Sequence, residues 1–420
     1  MAGKFGAKLG SSGMAVDFVE NLINPERMRM ERMARTKATL RKNGIAAALL
    51  FRPENIRYAT STKMYNFIDR LSYALAFAEE DPMRYCSDGG VVWPSPWIKP
   101  ENNKMSWHWA NQSPGISAVE EDAKMFAADI KMELKKRGLE KEKLGIDEID
   151  EPGRQALIDA GINLVNVMPA MLEARAIKTV DEIACMHMIT ALCDAAHWAM
   201  YEALKPGMRD SDIRAVGYES LIRNGADEVW DVLVSSGGTI NGVSMNRDRI
   251  IQPGDMVTID IVRASYLGYN SCYYRNYLVG VKPTPAQMDL HKRSYERIYS
   301  VIDAIKPGVS TAELAEKWAT AAQKGLPSER YLWCDDLAHG LGLWLYEYPV
   351  INRCWSLKHP QIIEKGMTMA VEAMEFDPLI GRTKLEEMLV VTDTGVEIFS
   401  RVPVKDILVA NPYSGVTAVE

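Results

Sequence analysis

Leu204-Lys205-Pro206-Gly207-Met208 recurs as Ile305-Lys306-Pro307-Gly308-Val309, each followed by an acidic helix start. Arg249-Ile250-Ile251-Gln252-Pro253-Gly254, running into Met256-Val257-Thr258-Ile259-Asp260-Ile261, recurs as Gln361-Ile362-Ile363-Glu364-Lys365-Gly366, running into Thr368-Met369-Ala370-Val371-Glu372-Ala373. Two helix–turn–helix–strand halves of similar length predict a pseudo-twofold domain with a curved sheet inside and helix pairs outside. Laid over each other, the repeats place Asp260 on Glu372. Two carboxylates at matched places in apolar strands face one another across the axis, and a buried acid needs a partner or a task.

Upstream, the pattern is α/β. A charged helix over Met28–Lys42 stops at Asn43-Gly44 and enters the apolar strand Ile45–Phe51. The unit repeats as a helix around Ala118–Arg137 feeding Leu144–Asp147, and as a helix over Gly153–Ala160 feeding Asn163–Val167. Residues 28–172 are thus expected to form a three-layer N-terminal domain, 173–420 the second domain, and 1–27 an arm. Between the elements, residues 83–115 carry Trp93, Trp97, Trp107, Trp109 and His108 among prolines. Such rings either form a satellite core or wait for a ligand or second subunit, and packing on their own domain is the preferred expectation.

Composition narrows the function. Lys plus Arg total 49 against 56 Asp plus Glu, for a net charge of −7 with no long run of one sign. Nucleic acid is therefore not an expected partner. No uninterrupted apolar stretch is long enough to span a bilayer, and the start lacks an apolar leader core, so a cytoplasmic protein without membrane contact is expected. The six cysteines, Cys86, Cys185, Cys193, Cys272, Cys334 and Cys354, form no CxxC pair and are expected to be reduced.

Several segments carry a family resemblance. Arg175-Ala176-Ile177-Lys178-Thr179-Val180-Asp181-Glu182-Ile183 resembles the opening of the catalytic domain in the superfamily of creatinase, prolidase and methionine aminopeptidase. Leu337-Ala338-His339-Gly340-Leu341-Gly342 resembles its HGxG motif, Ala370-Val371-Glu372 its first glutamate strand, and Lys384-Leu385-Glu386-Glu387 its second. With Asn55-Ile56-Arg57-Tyr58-Ala59-Thr60 and Lys384–Thr394, the chain is most similar to the dimethylsulfoniopropionate lyase branch. The resemblance implies an α/β (α+β) chain, a creatinase-like N-terminal domain followed by a pseudo-twofold pita-bread domain.

In metal-dependent members, two aspartates, the histidine and the two glutamates hold a pair of divalent ions. This chain keeps Asp260, His339, Glu372 and Glu386, but Cys272 stands where the second aspartate is expected, Val262 where the lyases have a further aspartate, and Leu345 where they place a catalytic one. A complete dinuclear site is not expected: either no metal, or at most one divalent ion on those four residues. Creatinase, which works without metal, implies acid–base chemistry by His339 beside Glu372, Glu386 and Asp260, with the histidine held protonated by the acids. Bland alternatives stand beside this. His339 is also read as a structural hydrogen-bonder, Glu372 and Glu386 as relics that pair with Arg275 and Lys384, and Cys272 as a small buried hydrophobe. His187 and His197 are expected to pack or face solvent.

The functional expectation is a non-peptidase hydrolase or lyase that cleaves a C–N or C–S bond of a small polar or zwitterionic molecule. Tyr65, Phe67, Arg70, Trp344, Tyr346, Cys272 and Tyr274, with Tyr348, are candidate substrate contacts, since aromatic rings suit a cation and an arginine an anionic end. The alternatives are a metallo-aminopeptidase or prolidase-type dipeptidase, and a catalytically inactive pita-bread binding protein. A homodimer with shared active sites is expected, the loop Thr62–Arg70 of one subunit closing the pocket of the other.

Overall fold

The computed structural model describes residues 23–63, 72–87, 95–237, 249–377 and 379–413. The candidate contacts Tyr65, Phe67 and Arg70, and Trp93, lie outside the described residues. The chain divides into two compact units with the boundary at Arg175/Ala176, three residues beyond the expected position.

In the first unit, helix α1 spans Pro25–Lys42. It starts earlier than the expected Met28 because Asn24 caps it, Oδ1 accepting from the Glu26 and Arg27 amides at 3.1 and 3.0 Å, with Pro25 at the first helical position. The arm therefore does not extend to residue 27. Strand β1 (Ala47–Leu50), helix α2 (Pro53–Thr60), strands β2 (Ser72–Phe77), β3 (Met83–Cys86) and β4 (Asn103–Met105), helix α3 (Ile116–Lys136), strand β5 (Lys143–Ile146), helix α4 (Glu151–Asp159) and strand β6 (Asn163–Asn166) follow. The sheet order is β4-β3-β2-β1-β5-β6. β1 and β2 are buried at every position, as in a sheet covered on both faces. Val119, Ala123, Phe126, Ala127, Ile130 and Leu134 recur at helical spacing and carry α3 into this core. Trp109 joins it, edge-on to Phe126 with centroids 5.7 Å apart and Nε1 donating to Asp150 at 2.7 Å, and Trp107 packs against it. These two rings serve their own unit.

Helix α5 (Met168–Ala176) leads to the second unit: helices α6 (Val180–Ala203) and α7 (Asp210–Arg223), strands β7 (Glu228–Ser236), β8 (Met256–Tyr266), β9 (Tyr269–Asn270) and β10 (Tyr274–Val279), helices α8 (Pro285–Ile302) and α9 (Thr311–Ala315), and strands β11 (Asp336–Gly340), β12 (Glu347–Ile351), β13 (Thr368–Asp377), β14 (Gly381–Val391), β15 (Val396–Ile398) and β16 (Leu408–Ala410). Two five-stranded sheets result, one ordered β16-β10-β8-β7 with β9 beside β8, the other β12-β11-β13-β14-β15.

The repeat is visible in the hydrogen bonds. Gly207 N donates to Ile251 O at 2.9 Å and Ile251 N to Met208 O at 2.8 Å; Gly308 N donates to Ile363 O and Ile363 N to Val309 O, both at 2.9 Å. Gly254 N reaches Val279 O at 2.8 Å as Gly366 N reaches Val391 O at 2.9 Å. Each Lys-Pro-Gly turn is clipped to the segment feeding its own central strand. Gly207 and Gly308 sit at φ +90° and +88°, a region that a side chain disfavours. The halves are not of similar length throughout: α7 has 14 residues, and its counterpart α9 has 5.

Asn276 joins the halves. Its Nδ2 donates to Lys384 O at 2.8 Å and its Oδ1 accepts from Lys384 N at 3.2 Å, so a side-chain amide bridges β10 and β14. The seam brings Asp260 and Tyr274 alongside Lys384 and Glu386. Among the described residues no helix is long and apolar enough to cross a membrane.

Candidate active site

Strand register assembles the site. Glu372 on β13 lies directly opposite Glu386 on β14, and Lys384, two residues from Glu386, shares its face because side chains alternate along a strand. On the other sheet, Tyr274 lies directly opposite Asp260. His339 comes from β11, next to β13, where the pairing with β12 shifts register between His339 and Gly340. Gly340 is dictated by that approach: a Cβ there would stand 2.3 Å from the Tyr348 carbonyl oxygen. The motif glycine thus places the histidine.

The acids differ in their partners. Glu372 Oε2 is 3.0 Å from Lys384 Nζ, which also donates to Cys334 O at 3.1 Å and lies 4.7 Å from the Tyr274 ring centroid. Burial pushes Glu372 up, with Lys384 opposing, and the lysine is held well above its usual range by Glu372 against the cost of burial. Asp260 accepts from Tyr273 N at 3.2 Å. Burial pushes its carboxyl up to about 7, the Tyr274 hydroxyl pulling down and the charge of Glu372 pushing up again.

Glu386 is 0% exposed, and neither of its oxygens has a hydrogen-bond partner. His339 Nε2 is 3.8 Å from Oε1, and the Cys272 thiol lies near the carboxyl without a well-directed bond to it. Burial first, then Glu372 and Asp260, hold Glu386 well above the carboxylate range.

His339 is also buried, and burial lowers its pKa to about 4 although the Gly340 and Leu345 carbonyls pull the other way. The expectation of a histidine held protonated is corrected: the carboxyl beside it is itself kept neutral, so no fixed negative charge offsets the desolvation of an imidazolium. A proton on Nδ1, 3.3 Å from Gly340 O, leaves the Nε2 lone pair toward Glu386. The Tyr346 ring covers the imidazole at 4.6 Å and is itself 39% exposed.

Of the candidate contacts, Tyr274, Cys272 and Tyr346 therefore lie at this cluster. Trp344 stacks on Arg263, whose guanidinium carbon is 4.0 Å from it and 3.9 Å from Trp230. Tyr348 instead packs against the hydrophobic core. The relic pairing is corrected: Glu372 pairs with Lys384, Arg275 pairs with Glu387 at 2.8 Å, and neither cation bonds Glu386. His197 is a satisfied structural histidine, bonded to Tyr277 OH at 3.0 Å and Tyr273 O at 3.1 Å. His187 faces Glu397 at 3.5 Å, half exposed.

Lys384 was not among the site candidates; its spacing of two from Glu386 on a strand is the signal that places it there. The donor atoms that gather are also not the expected four. One each from Cys272, His339 and Glu386 lie within 4.8 Å of one another, the one such group among the described residues, while Glu372 is engaged by Lys384 and Asp260 by Tyr273. The mixed sulfur, nitrogen and oxygen donors and the orphaned Glu386 oxygens fit a single divalent ion of borderline softness. Such an ion would supply Lewis acidity.

Residues 184–393 match metallopeptidase family M24. The chain belongs to that family. Within it, the chain is 27% identical over 231 residues to a Xaa-Pro dipeptidase of Pyrococcus furiosus, a match spanning 54% of this chain and 63% of that protein. It is 26% identical over 407 residues to the dimethylsulfoniopropionate lyase DddP of Roseovarius nubinhibens, spanning 90% of this chain and 86% of that one. The dipeptidase PepE structure from Mycobacterium ulcerans superposes with a TM-score of 0.74 at 20% identity, covering 93% of this chain and all of that one. These confirm the M24 pita-bread fold and the likeness to the lyase, and M24 relatives of both lyase and dipeptidase type are similar to this chain.

Proposed function

We propose that this M24 protein cleaves a C–N or C–S bond of a small polar or zwitterionic molecule by general acid–base catalysis. The observation that carries the reading is Asp260: a buried carboxyl pushed up to about 7, bonded to Tyr274 and in the field of Glu372. Such a group takes and returns a proton at neutral pH with little cost in either direction. In a hydrolysis the proton comes from water, whose oxygen bonds to carbon while the C–N bond breaks and nitrogen leaves protonated. In an elimination it comes from carbon, a C=C bond forms, and sulfur leaves with the bonding pair. The Lys384–Glu372 pair supplies fixed charge beside the reacting atoms, and the Tyr346 ring over His339 suits a cationic end.

The test is a substrate panel of dimethylsulfoniopropionate, creatine and Xaa-Pro dipeptides, with Asp260→Asn as control. Turnover of a non-peptide that falls at least ~100-fold in the variant supports the reading. Cleavage of Xaa-Pro peptides alone moves it to a prolidase-type dipeptidase, the reading favoured by the Cys272, His339 and Glu386 donor set. Binding without turnover on any substrate makes the chain a binding protein. The proposal includes a homodimer with shared sites. Mixed His339→Ala and Arg70→Ala chains should partly regain activity, and a monomer by light scattering would refute that part.

A further inference from the structure

We infer that Cys272, His339 and Glu386 form a site for one divalent cation of the zinc, cobalt(II) or iron(II) class with the Cys272 thiolate as a ligand, and that the Lys384 ammonium takes the place of a second cation at Glu372. The inference deepens the reading of this cluster as the reactive site and rests on it.

Three observations carry it. The donor atoms of the three residues lie within 4.8 Å of one another and all three side chains are buried. Both Glu386 oxygens are enclosed without a hydrogen-bond donor, and a buried carboxyl left in that state costs several kcal/mol unless a cation or proton meets it. The imidazole is oriented from behind, Nδ1 toward the Gly340 carbonyl, which is how a ligating histidine is held in one tautomer. Sulfur with imidazole and carboxylate selects borderline metals over magnesium, calcium or manganese, which prefer all-oxygen cages. On binding, the Cys272 thiol proton and the Glu386 carboxyl proton leave to solvent as the sulfur–metal and oxygen–metal bonds form.

The count of one follows from Lys384. Its ammonium sits 3.0 Å from Glu372, backed by the Cys334 carbonyl and the Tyr274 ring. A buried positive charge already neutralises that glutamate, and a second dication would meet both a repulsive neighbour and an occupied ligand. A chain-encoded cation replaces a bound one.

The experiment strips the full-length protein with a chelator and titrates it with Zn²⁺ and Co²⁺ by equilibrium dialysis, with near-ultraviolet absorption of the cobalt form. The expected result is one equivalent per chain and a thiolate-to-cobalt charge-transfer band. Cys272→Ser should abolish the band and weaken zinc binding by at least the ~10–100-fold that loss of even an outer partner costs. Glu386→Gln should weaken binding while keeping the band. Two equivalents in the unmodified chain would overturn the role of Lys384. One equivalent without the band would overturn the thiolate ligand, and no binding would overturn the site. Stoichiometry and spectrum need no substrate and are read on the unmodified chain even if a variant fails to fold. One bound ion with no turnover on the panel would sink the enzyme reading and leave this inference standing.

Discussion

Glu372 and Glu386 face each other across the central antiparallel pair of the second unit, yet Lys384 neutralises only Glu372, at 3.0 Å, and both Glu386 oxygens are left without a donor. One of the two acids belongs to the architecture. The other, fully buried, is left to meet a proton or a cation.

Lys384→Met should destabilise the protein by about 3–5 kcal/mol, because it leaves Glu372 buried and uncompensated. Adding Glu372→Gln should restore most of that loss, since removing both charges also removes the unpaired one. Urea unfolding of the single and double variants measures this. A double variant as unstable as the sum of the singles would show that the pair does not act as a unit.

Glu386→Gln should leave the unfolding midpoint unchanged or raised while turnover falls at least ~100-fold. A residue kept for packing would show the reverse, a lowered midpoint with activity retained. Thermal unfolding and turnover on one preparation separate the two.

Gly340→Ala should cost at least ~1–3 kcal/mol and displace His339, because the new methyl would stand 2.3 Å from a backbone oxygen that the β11–β12 pairing holds in place. Gly395→Ala, where a Cβ meets nothing within 4 Å, is the control and should be close to neutral. Equal losses at both positions would refute the account of the motif glycine.

Acid stability should carry the signature of His197. Burial lowers its pKa from 6.5 to about 3 in the folded chain. Between those values the unfolded chain binds the proton and the folded one does not, so stability is complete above pH ~6.5 and falls as pH drops toward 3, by about 1.4 kcal/mol per pH unit for this residue. His197→Phe should reduce the slope of unfolding free energy against pH by one proton over that window. An unchanged slope would show that the imidazole is charged in the folded state.

The repeat was legible because it is a local pattern. Lys-Pro-Gly turns and apolar runs broken by one acid are set by φ preferences and strand alternation, and they placed Asp260 and Glu372 on matched strands before any coordinates. The helix-to-strand units leading into Ile45–Phe51, Leu144–Asp147 and Asn163–Val167 were readable for the same reason. Strands β2 to β4 were not: they lie around a Trp- and Pro-rich stretch whose pairing is non-local, and the cap that starts α1 at Pro25 rests on one asparagine.

The sequence by itself determined the residue types of the cluster and the pseudo-twofold plan, and its family resemblance implied that Val262 and Cys272 stand where oxygen ligands are expected. Only the tertiary structure decided which acid is paired. Lys384 reaches Glu372 because the β13–β14 register sets them as diagonal neighbours on one face, and Arg275 reaches Glu387 because the Asn276 seam holds β10 beside β14; both are properties of strand offset, invisible to a linear pattern. Charge state was likewise decided in three dimensions. His339 beside two acids reads as a protonated histidine in the sequence, but complete burial beside a Glu386 carboxyl that is itself held well above its usual range makes it the neutral base, because desolvation acts on every group at once and depends on what surrounds the cluster.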